Sequence, residues 1–223
     1  MNLSKINEAL GELEKAMGQQ PLSEIDWLYE KQVDMQSFSV ITQDNIEDYI
    51  DILFSSTRTN RMWKNEANRA GELMQMMVEF DPDMVATSMK ELFEEGRDLE
   101  GRLDRFKFYM DELLRRLRRH QTIKESWHHQ DNAILSYYLS MRYPTDYTYY
   151  TPENHQLLVD LTGAKPIGPT EDPVRYQKMA KTVSTFLSKN EKLQEAHLKR
   201  FRKPVVAGSR LMVLELIDLW RGR

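Results

Sequence analysis

The chain has 223 residues, of which 40% are apolar and 30% are charged, and its formal net charge is −4. This composition is typical of a globular protein with one large domain or two small ones. The absence of cysteine excludes disulfide bonds and thiolate chemistry. No apolar run reaches the roughly 20 residues that span a membrane, and the amphipathic N-terminus lacks the pattern of a signal peptide. We therefore expect a cytoplasmic protein without membrane contact, in which any polyanion is bound by local basic patches.

Apolar residues recur at helical spacing along most of the chain. This predicts an all-α fold, an irregular multi-helix bundle of roughly nine or ten helices. The first helix is expected over residues 4–17, and a second begins near a capping-box pattern at Ser23 and Asp26. A long helix is expected from Trp63 to Val78. Two further starts carry an aspartate suited to cap the first turn: Asp81, which precedes a proline, and Asp98.

Residues 127–150 hold six of the ten tyrosines and two adjacent histidines. Asp131 is predicted to cap a helix that Pro144 ends, because proline biases the preceding residue away from helical geometry. The residues that follow, 147–150, are rich in Tyr and Thr and are expected to form at most a short β element. The next helix is predicted to have a hydroxyl cap, a proline at its first position and a glycine stop: Thr151, Pro152 and Gly163.

The tyrosines of this stretch have two interpretations. A packed cluster, which we favour, would bury the rings and keep the hydroxyls bonded. The alternative is an aromatic platform on which a base or a partner's side chain stacks. The residues assigned to this platform lie on either side of the proline: Tyr143, Tyr147, Tyr149 and Tyr150.

Residues 164–173 contain three prolines and one glycine, a composition typical of a linker. They predict a helical domain over residues 1–163 and a C-terminal helical segment over residues 174–223, which either packs on the first domain or stands apart. A helix is predicted to open at Asp172 and to continue to Phe201.

None of the motifs that would assign a reaction is present. The sequence has no Walker A or glycine-rich nucleotide fingerprint and no nucleophile elbow. Its five histidines lack cysteine partners and the spacing of a zinc site. The adjacent pair, His128 and His129, should point apart, with one side chain packed and the other solvated. We therefore expect no catalytic residue, no cofactor and no metal ligand, and a stand-alone enzyme is the least favoured hypothesis.

Two basic runs stand out on this acidic chain. One ends the long helix of the first half, where the helix macrodipole favours cations without any ligand, although arginines there would also suit phosphate. Helical spacing puts Arg115, Arg118 and Arg119 on one face. Arg116 lies to the side, where it is placed to pair with Glu112. The second run offers further phosphate contacts: Lys199, Arg200, Arg202 and Lys203.

Two segments resemble a known family. LFEEGRDLEGRLDRFKFYMDELL (92–114) and HHQDNAILSYYLSMRYPTDYTYYTP (128–152) are similar to the helical region ahead of the ATPase in McrB-type AAA+ proteins, the motor subunits of modification-dependent restriction systems in bacteria. The resemblance covers residues 43–162. Its shared residues are a helix junction, Leu92, Phe93, Glu94, Glu95, Asp98 and Leu99, and a helix with an aromatic end, Asn132, Ala133, Ile134, Ser136, Tyr138, Leu139, Arg142, Tyr143 and Pro144.

The resemblance implies a non-catalytic recognition or adaptor domain in defence against foreign DNA. Its expected partners are DNA and an AAA+ GTPase or ATPase module or restriction subunit. The sequence contains no AAA+ module, so nucleotide hydrolysis is not assigned to it. The alternative hypothesis is a structural protein–protein interaction domain without nucleic-acid contact, which docks through the tyrosine cluster or the C-terminal helix.

The two matched segments also predict a shared core, because both present apolar faces at helical spacing. The residues expected to be buried together are Phe93, Leu99, Leu103, Phe106, Met110, Ile134, Tyr138 and Leu139.

Overall fold

The computed structural model describes residues 1–17, 25–55, 67–166, 171–201 and 203–222. In these ranges the chain forms eleven α-helices and no β-strand, which confirms the all-α prediction. None of these helices is both long and apolar enough to cross a lipid bilayer. The helices are α1 (Leu3–Met17), α2 (Asp26–Met35), α3 (Ile46–Phe54), α4 (Ala67–Phe80), α5 (Pro82–Leu92), α6 (Leu99–His120), α7 (Asn132–Arg142), α8 (Pro152–Thr162), α9 (Pro173–Lys189), α10 (Glu191–Lys199) and α11 (Met212–Arg221).

Contacts divide the chain into two compact units. The central unit, residues 34–135, contains α3 to α6. The terminal unit joins residues 1–33 with residues 136–223 and contains α1 and α8 to α11, while α2 and α7 run across the unit boundaries. The predicted division at residues 164–173 differs from this one. The reason is that α1 packs against α8, α10 and α11, which ties the N-terminus to the C-terminal segment.

Short polar side chains fix several helix starts, as predicted, because each accepts a backbone N–H group that the first turn leaves unpaired. The helix α8 ends at Gly163, whose φ of 57° lies in the left-handed region that glycine adopts without strain. The predicted starts at Ser23 and Trp63 lie outside the described residues. The capping side chains are Asp81 (from Met84 N–H, 3.0 Å), Asp98 (from Gly101, 2.8 Å), Asp131 (from Ile134, 2.9 Å), Thr151 (from Asn154, 3.0 Å) and Asp172 (from Arg175, 2.7 Å).

The core of the central unit is built on α6, which packs mainly against α5 and also against α4. Its inward face is a continuous apolar stripe of buried side chains, as the spacing predicts. Because α6 is the longest helix described, this stripe fixes the position of everything carried on its outer face and at its two ends. The buried apolar residues of α6 are Leu103, Phe106, Met110, Leu113, Leu114 and Leu117.

The predicted core is buried at every position except one. Leu99 is only half-buried, because it occupies the first position of α6. The buried residues are divided between the two units: Tyr138 and Leu139 belong to the terminal unit and the others to the central unit. The matched segments therefore supply apolar residues to both units.

The helix α11 is the centre of the terminal unit, where it packs against α1, α8 and α9. Every side chain from Met212 to Ile217 is buried, which requires cover on more than one side of the helix. The apolar side of the C-terminal helix is thus occupied by its own unit.

The predicted helix from Asp172 to Phe201 is wrong in one respect, because it breaks at Asn190 into α9 and α10. Asn190 has φ −90° and ψ 90°, and its Oδ1 accepts the Leu193 N–H at 3.1 Å. An asparagine side chain competes well for such backbone groups, so it stabilises a new helix start more than a continued helix. The break redirects the chain that carries Lys199 and Arg200.

Residues 147–150 form neither a helix nor a strand, and within the described residues they pair with no strand. The side chain of Gln177 takes the place of one: its Nε2 donates to Thr148 O at 2.6 Å, and the Thr148 N–H donates to its Oε1 at 3.1 Å. Ser136 Oγ accepts the Tyr150 N–H at 2.8 Å. These side chains satisfy the backbone groups that a β partner would otherwise bind.

Replacing Phe106 by alanine tests the core of the central unit. Phe106 is fully buried on α6, and a large-to-small change at such a site costs about 3–5 kcal/mol. We expect Phe106→Ala to lower the free energy of unfolding by that amount in chemical denaturation. Phe108→Ala is the matched control on the same helix, since Phe108 is 68% exposed, and it should unfold like the parent. Equal effects of the two changes would contradict this packing.

Candidate nucleic-acid interface

The basic run at the end of α6 separates into paired and unpaired arginines. Arg115 donates from Nε to Glu112 Oε2 at 2.9 Å, and this contact lowers the pKa of the Glu112 carboxyl. Arg116 pairs with Asp81 at 2.8 Å. The predicted pair between Arg116 and Glu112 is therefore wrong. Arg115, three positions after Glu112, binds it instead, and Arg116 binds Asp81 at the start of α5.

Arg116 is held by more than its ion pair. Its guanidinium lies 5.5 Å from the centre of the Phe80 ring and 3.2 Å from Met84 Sδ. An arginine with a carboxylate, a ring and a sulfur around it belongs to the packing between α5 and α6. Its charge is already paired within the chain.

Arg118 and Arg119 remain open at the surface. Both are exposed, and in the part of the chain that the structure describes neither guanidinium lies within salt-bridge distance of a carboxylate. They are followed by His120, whose ring lies 5.4 Å from that of Phe80. The end of α6 thus presents two adjacent full positive charges.

The loop after α6 continues this surface. Lys124 is exposed, and the carboxylate of Glu125 is paired with Arg69 at 2.7 Å, so the one acidic side chain between Lys124 and Trp127 is already neutralised. Trp127 itself is 43% exposed. This combination of free cations with an exposed indole was not predicted, although Trp127 begins the aromatic stretch in the sequence.

A tight turn holds Trp127 in place. His128 is buried, and its Nδ1 accepts the Gln130 N–H at 2.9 Å. Burial lowers the pKa of His128, against the opposite influence of Asp111, whose Oδ1 lies 3.6 Å from Nε2. Gln130 is also buried and donates to Ala70 O at 2.9 Å. Of the adjacent histidines, His128 is thus the packed one, as the sequence analysis expected of one of the pair.

His129 adopts φ 57°, the left-handed region, and is the only residue other than glycine to do so among those described. Its ring lies 4.8 Å from the ring of Trp127, at an angle of 40°. The left-handed region costs a non-glycine residue free energy, so the surrounding contacts must impose it. The result is an exposed indole packed against a half-buried imidazole on an anchored turn.

The second basic run is largely neutralised. Lys199 pairs with Glu195 at 2.7 Å, and Lys203 lies 3.7 Å from Glu30. Arg202 lies outside the described residues. Arg200, predicted as a phosphate contact, is instead directed into the terminal unit, where its side chain is only 12% exposed.

Arg200 belongs to a buried cluster around the carboxylate of Glu215. Its NH1 and NH2 groups donate to both oxygens of Glu215 at 2.8 Å, and NH2 also donates to Asp26 Oδ1 at 2.9 Å. The Tyr29 hydroxyl also donates to the Glu215 carboxylate. His197 Nδ1 lies 3.4 Å from Glu215 Oε1. We call these five residues the Glu215 cluster.

The pKa shifts of the Glu215 cluster follow from its burial. Burial and the neighbouring Glu215 raise the pKa of Tyr29 well above its ordinary value. Burial lowers the pKa of His197 to about 4, against the opposing effect of Glu215. Tyr29 is therefore a fixed donor and His197 is neutral near pH 7. The cluster is an enclosed network of charges in which both oxygens of Glu215 accept hydrogen bonds, and it offers no nucleophile.

The predicted tyrosine platform is only partly open. Tyr149 and Tyr150 are buried, and Tyr150 packs edge to face against Tyr176 with ring centroids 5.4 Å apart. Tyr143 and Tyr147 are half-buried, with ring centroids 6.2 Å apart. The packed interpretation thus describes Tyr149 and Tyr150, because interior side chains bond to their backbone.

Among the described residues, no group of three or more histidine, aspartate and glutamate side chains is placed to hold a metal ion. No family model, curated protein or solved structure matches this chain. The geometry of the side chains is therefore what supports a function.

Removing Arg200 tests the Glu215 cluster. Loss of one partner leaves the other charges buried and unpaired, which costs about 3–5 kcal/mol. We expect Arg200→Ala to lower the free energy of unfolding by that amount in urea titrations. The neighbouring Lys199→Ala also removes one positive charge, but its exposed ion pair is worth less than about 1 kcal/mol. Similar losses in the two variants would show that Arg200 is not buried as described.

The pH dependence of stability tests His197. Its pKa is about 4 when folded, against an ordinary value of 6.5, so between these values the unfolded chain binds a proton that the folded chain does not. The contribution of neutral His197 to the free energy of unfolding is therefore fully present above pH 6.5 and is lost as the pH falls towards 4. We expect His197→Gln to flatten this decline, measured by denaturation at several pH values. Above pH 7 the stability of the parent and that of His197→Gln should depend on pH in the same way. Equal slopes below pH 6 would contradict the lowered pKa of His197.

Proposed function

We propose that this chain is a non-catalytic recognition or adaptor module of a McrB-like restriction system, and that it contacts the DNA backbone through the end of α6. The observation that carries the proposal is the pair Arg118 and Arg119, which are exposed and lack a carboxylate partner within the described ranges. Arginine is well suited to phosphate, because its planar donors match two phosphate oxygens at once.

The placement of these arginines sets limits on the binding. The end of a helix carries about half a negative charge, which opposes phosphate, but two full positive charges outweigh it. Lys124 adds a third cation on the following loop. A surface of this size contacts few phosphates, so binding should be modest, insensitive to sequence and strongly weakened by salt.

The resemblance supports the proposal through structure and not through chemistry. Asp98, a residue of the shared helix junction, caps α6, and Arg102 Nε donates to the carbonyl of Leu92 at 2.7 Å across the same junction. These contacts set the direction in which α6 leaves α5. In this proposal, the motif positions the basic end of α6, and the partners are DNA and an AAA+ module or restriction subunit.

A second function, protein docking without nucleic acid, has its own support. Most of the other predicted cations are already paired within the chain, and the net charge is −4. Phe108 is 68% exposed on the outer face of α6. Two of its neighbours on that face, Asp104 and Asp111, are exposed carboxylates. A side chain of this kind suits a protein partner better than a phosphate backbone.

The DNA proposal is tested by neutralising the two open arginines. Arg118→Gln with Arg119→Gln should weaken binding to a short duplex and flatten the plot of log affinity against log salt by roughly 0.9 per lost phosphate contact. Fluorescence anisotropy at several salt concentrations measures both. Stability should stay near that of the parent, because exposed arginines contribute little.

The matched control removes the same charge elsewhere. Lys199→Gln with Lys203→Gln should change binding less, because both lysines already lie near carboxylates. Equal effects of the two double variants would mean that only net charge matters and that the surface is misassigned. A parent that binds no duplex at any salt concentration would remove the DNA proposal and leave protein docking in first place.

A further inference from the structure

We infer that Trp127 is a stacking site for an unpaired base, so that the end of α6 and its loop favour single-stranded nucleic acid over duplex. This inference rests on the proposed function, since it names the form of nucleic acid that the same surface would take. It goes beyond backbone contact, which does not distinguish the two forms by itself.

The first support is the exposure of the indole on an anchored turn. Trp127 is 43% exposed, and indole carries a large apolar area that folding would normally bury. The next residues are fixed from within the central unit: His128 and Gln130 are buried, and Gln130 bonds to the backbone of α4 at Ala70. The turn thus holds an apolar ring at the surface in a defined position.

The second support is the conformation of His129. Its φ of 57° places the imidazole against the indole, with ring centroids 4.8 Å apart. Backbone strain persists where the surroundings impose it, and such residues concentrate at binding sites. Here the strained residue is the one that supports the exposed ring, which ties the strain to the presentation of Trp127.

The third support is the order of charges along the loop. Arg118, Arg119 and Lys124 precede Trp127, and the acidic Glu125 is neutralised by Arg69. Proteins that bind single strands combine a cationic path for the phosphates with aromatic rings on which the bases stack. In a duplex the bases are stacked on one another and offer no face to a side chain, so Trp127 would contribute only to single-strand binding.

Phe108 shows why exposure alone does not decide the matter. It is more exposed than Trp127, at 68% against 43%, but two exposed carboxylates on its face of α6, Asp104 and Asp111, would repel a phosphate backbone. The chain therefore contains one exposed ring that follows three cations in the sequence and one that shares a helix face with carboxylates. This pair supplies the internal control for the experiment.

The experiment compares oligo(dT) with a duplex of equal length by fluorescence anisotropy, for the parent, Trp127→Ala, Trp127→Phe and Phe108→Ala. We expect the parent to bind oligo(dT) more tightly than duplex. Trp127→Ala should weaken oligo(dT) binding by roughly 5- to 150-fold, the range for loss of one stacked base, and leave duplex binding and the salt dependence unchanged. Trp127→Phe should retain most of the affinity, and Phe108→Ala all of it.

Thermal melts check that the variants fold. Trp127→Phe is a second control for folding, since it preserves an aromatic ring. Duplex binding that depends on Arg118 and Arg119, together with an unchanged affinity of Trp127→Ala for oligo(dT), would overturn the stacking site and leave the proposed function intact. Equal loss in Phe108→Ala and Trp127→Ala would also overturn it. Binding to neither nucleic acid at low salt would overturn both the stacking site and the proposed function. A protein partner would then be the better ligand for the exposed rings.

Discussion

One buried carboxylate, that of Glu215, joins parts of the chain that lie far apart in sequence. Tyr29 of α2 donates to it, and Arg200 at the end of α10 binds it through two nitrogens. Removing such charges from water costs several kcal/mol per ion, so the arrangement is stable only while every partner is present. The pairing of these buried charges is therefore a requirement that joins α2 to the C-terminal helices, in addition to the apolar packing of the terminal unit.

The same requirement changes the meaning of the basic residues. In the sequence Arg200 is one of four cations close together, which favours a surface patch. In the structure it completes the Glu215 cluster, and Lys199 and Lys203 lie near carboxylates. At the end of α6, Asp81 and the Phe80 ring remove Arg116 in the same way. A count of charges thus overstates a binding surface, because it does not include the carboxylates that folding brings close.

What could be predicted was decided within a few residues. Asp98 and Thr151 cap helices because the N–H groups that they accept lie three residues away, and Gly163 ends α8 for a similarly local reason. The break at Asn190 is also local, but two continuations compete there, and apolar spacing alone favours the wrong one. The Glu215 cluster leaves no trace in the sequence, because Asp26 and Tyr29 are separated from its other three members by most of the chain.

The aromatic stretch contains both kinds of feature, those decided by neighbouring residues and those decided by residues distant in the sequence. Its composition correctly indicates tyrosines that pack, yet which rings stay open depends on partners elsewhere: Gln177 and Tyr176 cover the segment that contains Tyr149 and Tyr150. Trp127, at the other end of the stretch, is left exposed because its turn is anchored through the residues that follow it. An exposed ring on a loose loop would say little, since it could turn away from water or from a ligand. In the structure the backbone after Trp127 is held through His128 and Gln130, and the His129 ring packs against the indole. In a loop that follows the two open arginines of α6, this geometry is suited to a ligand that carries both charge and flat apolar faces.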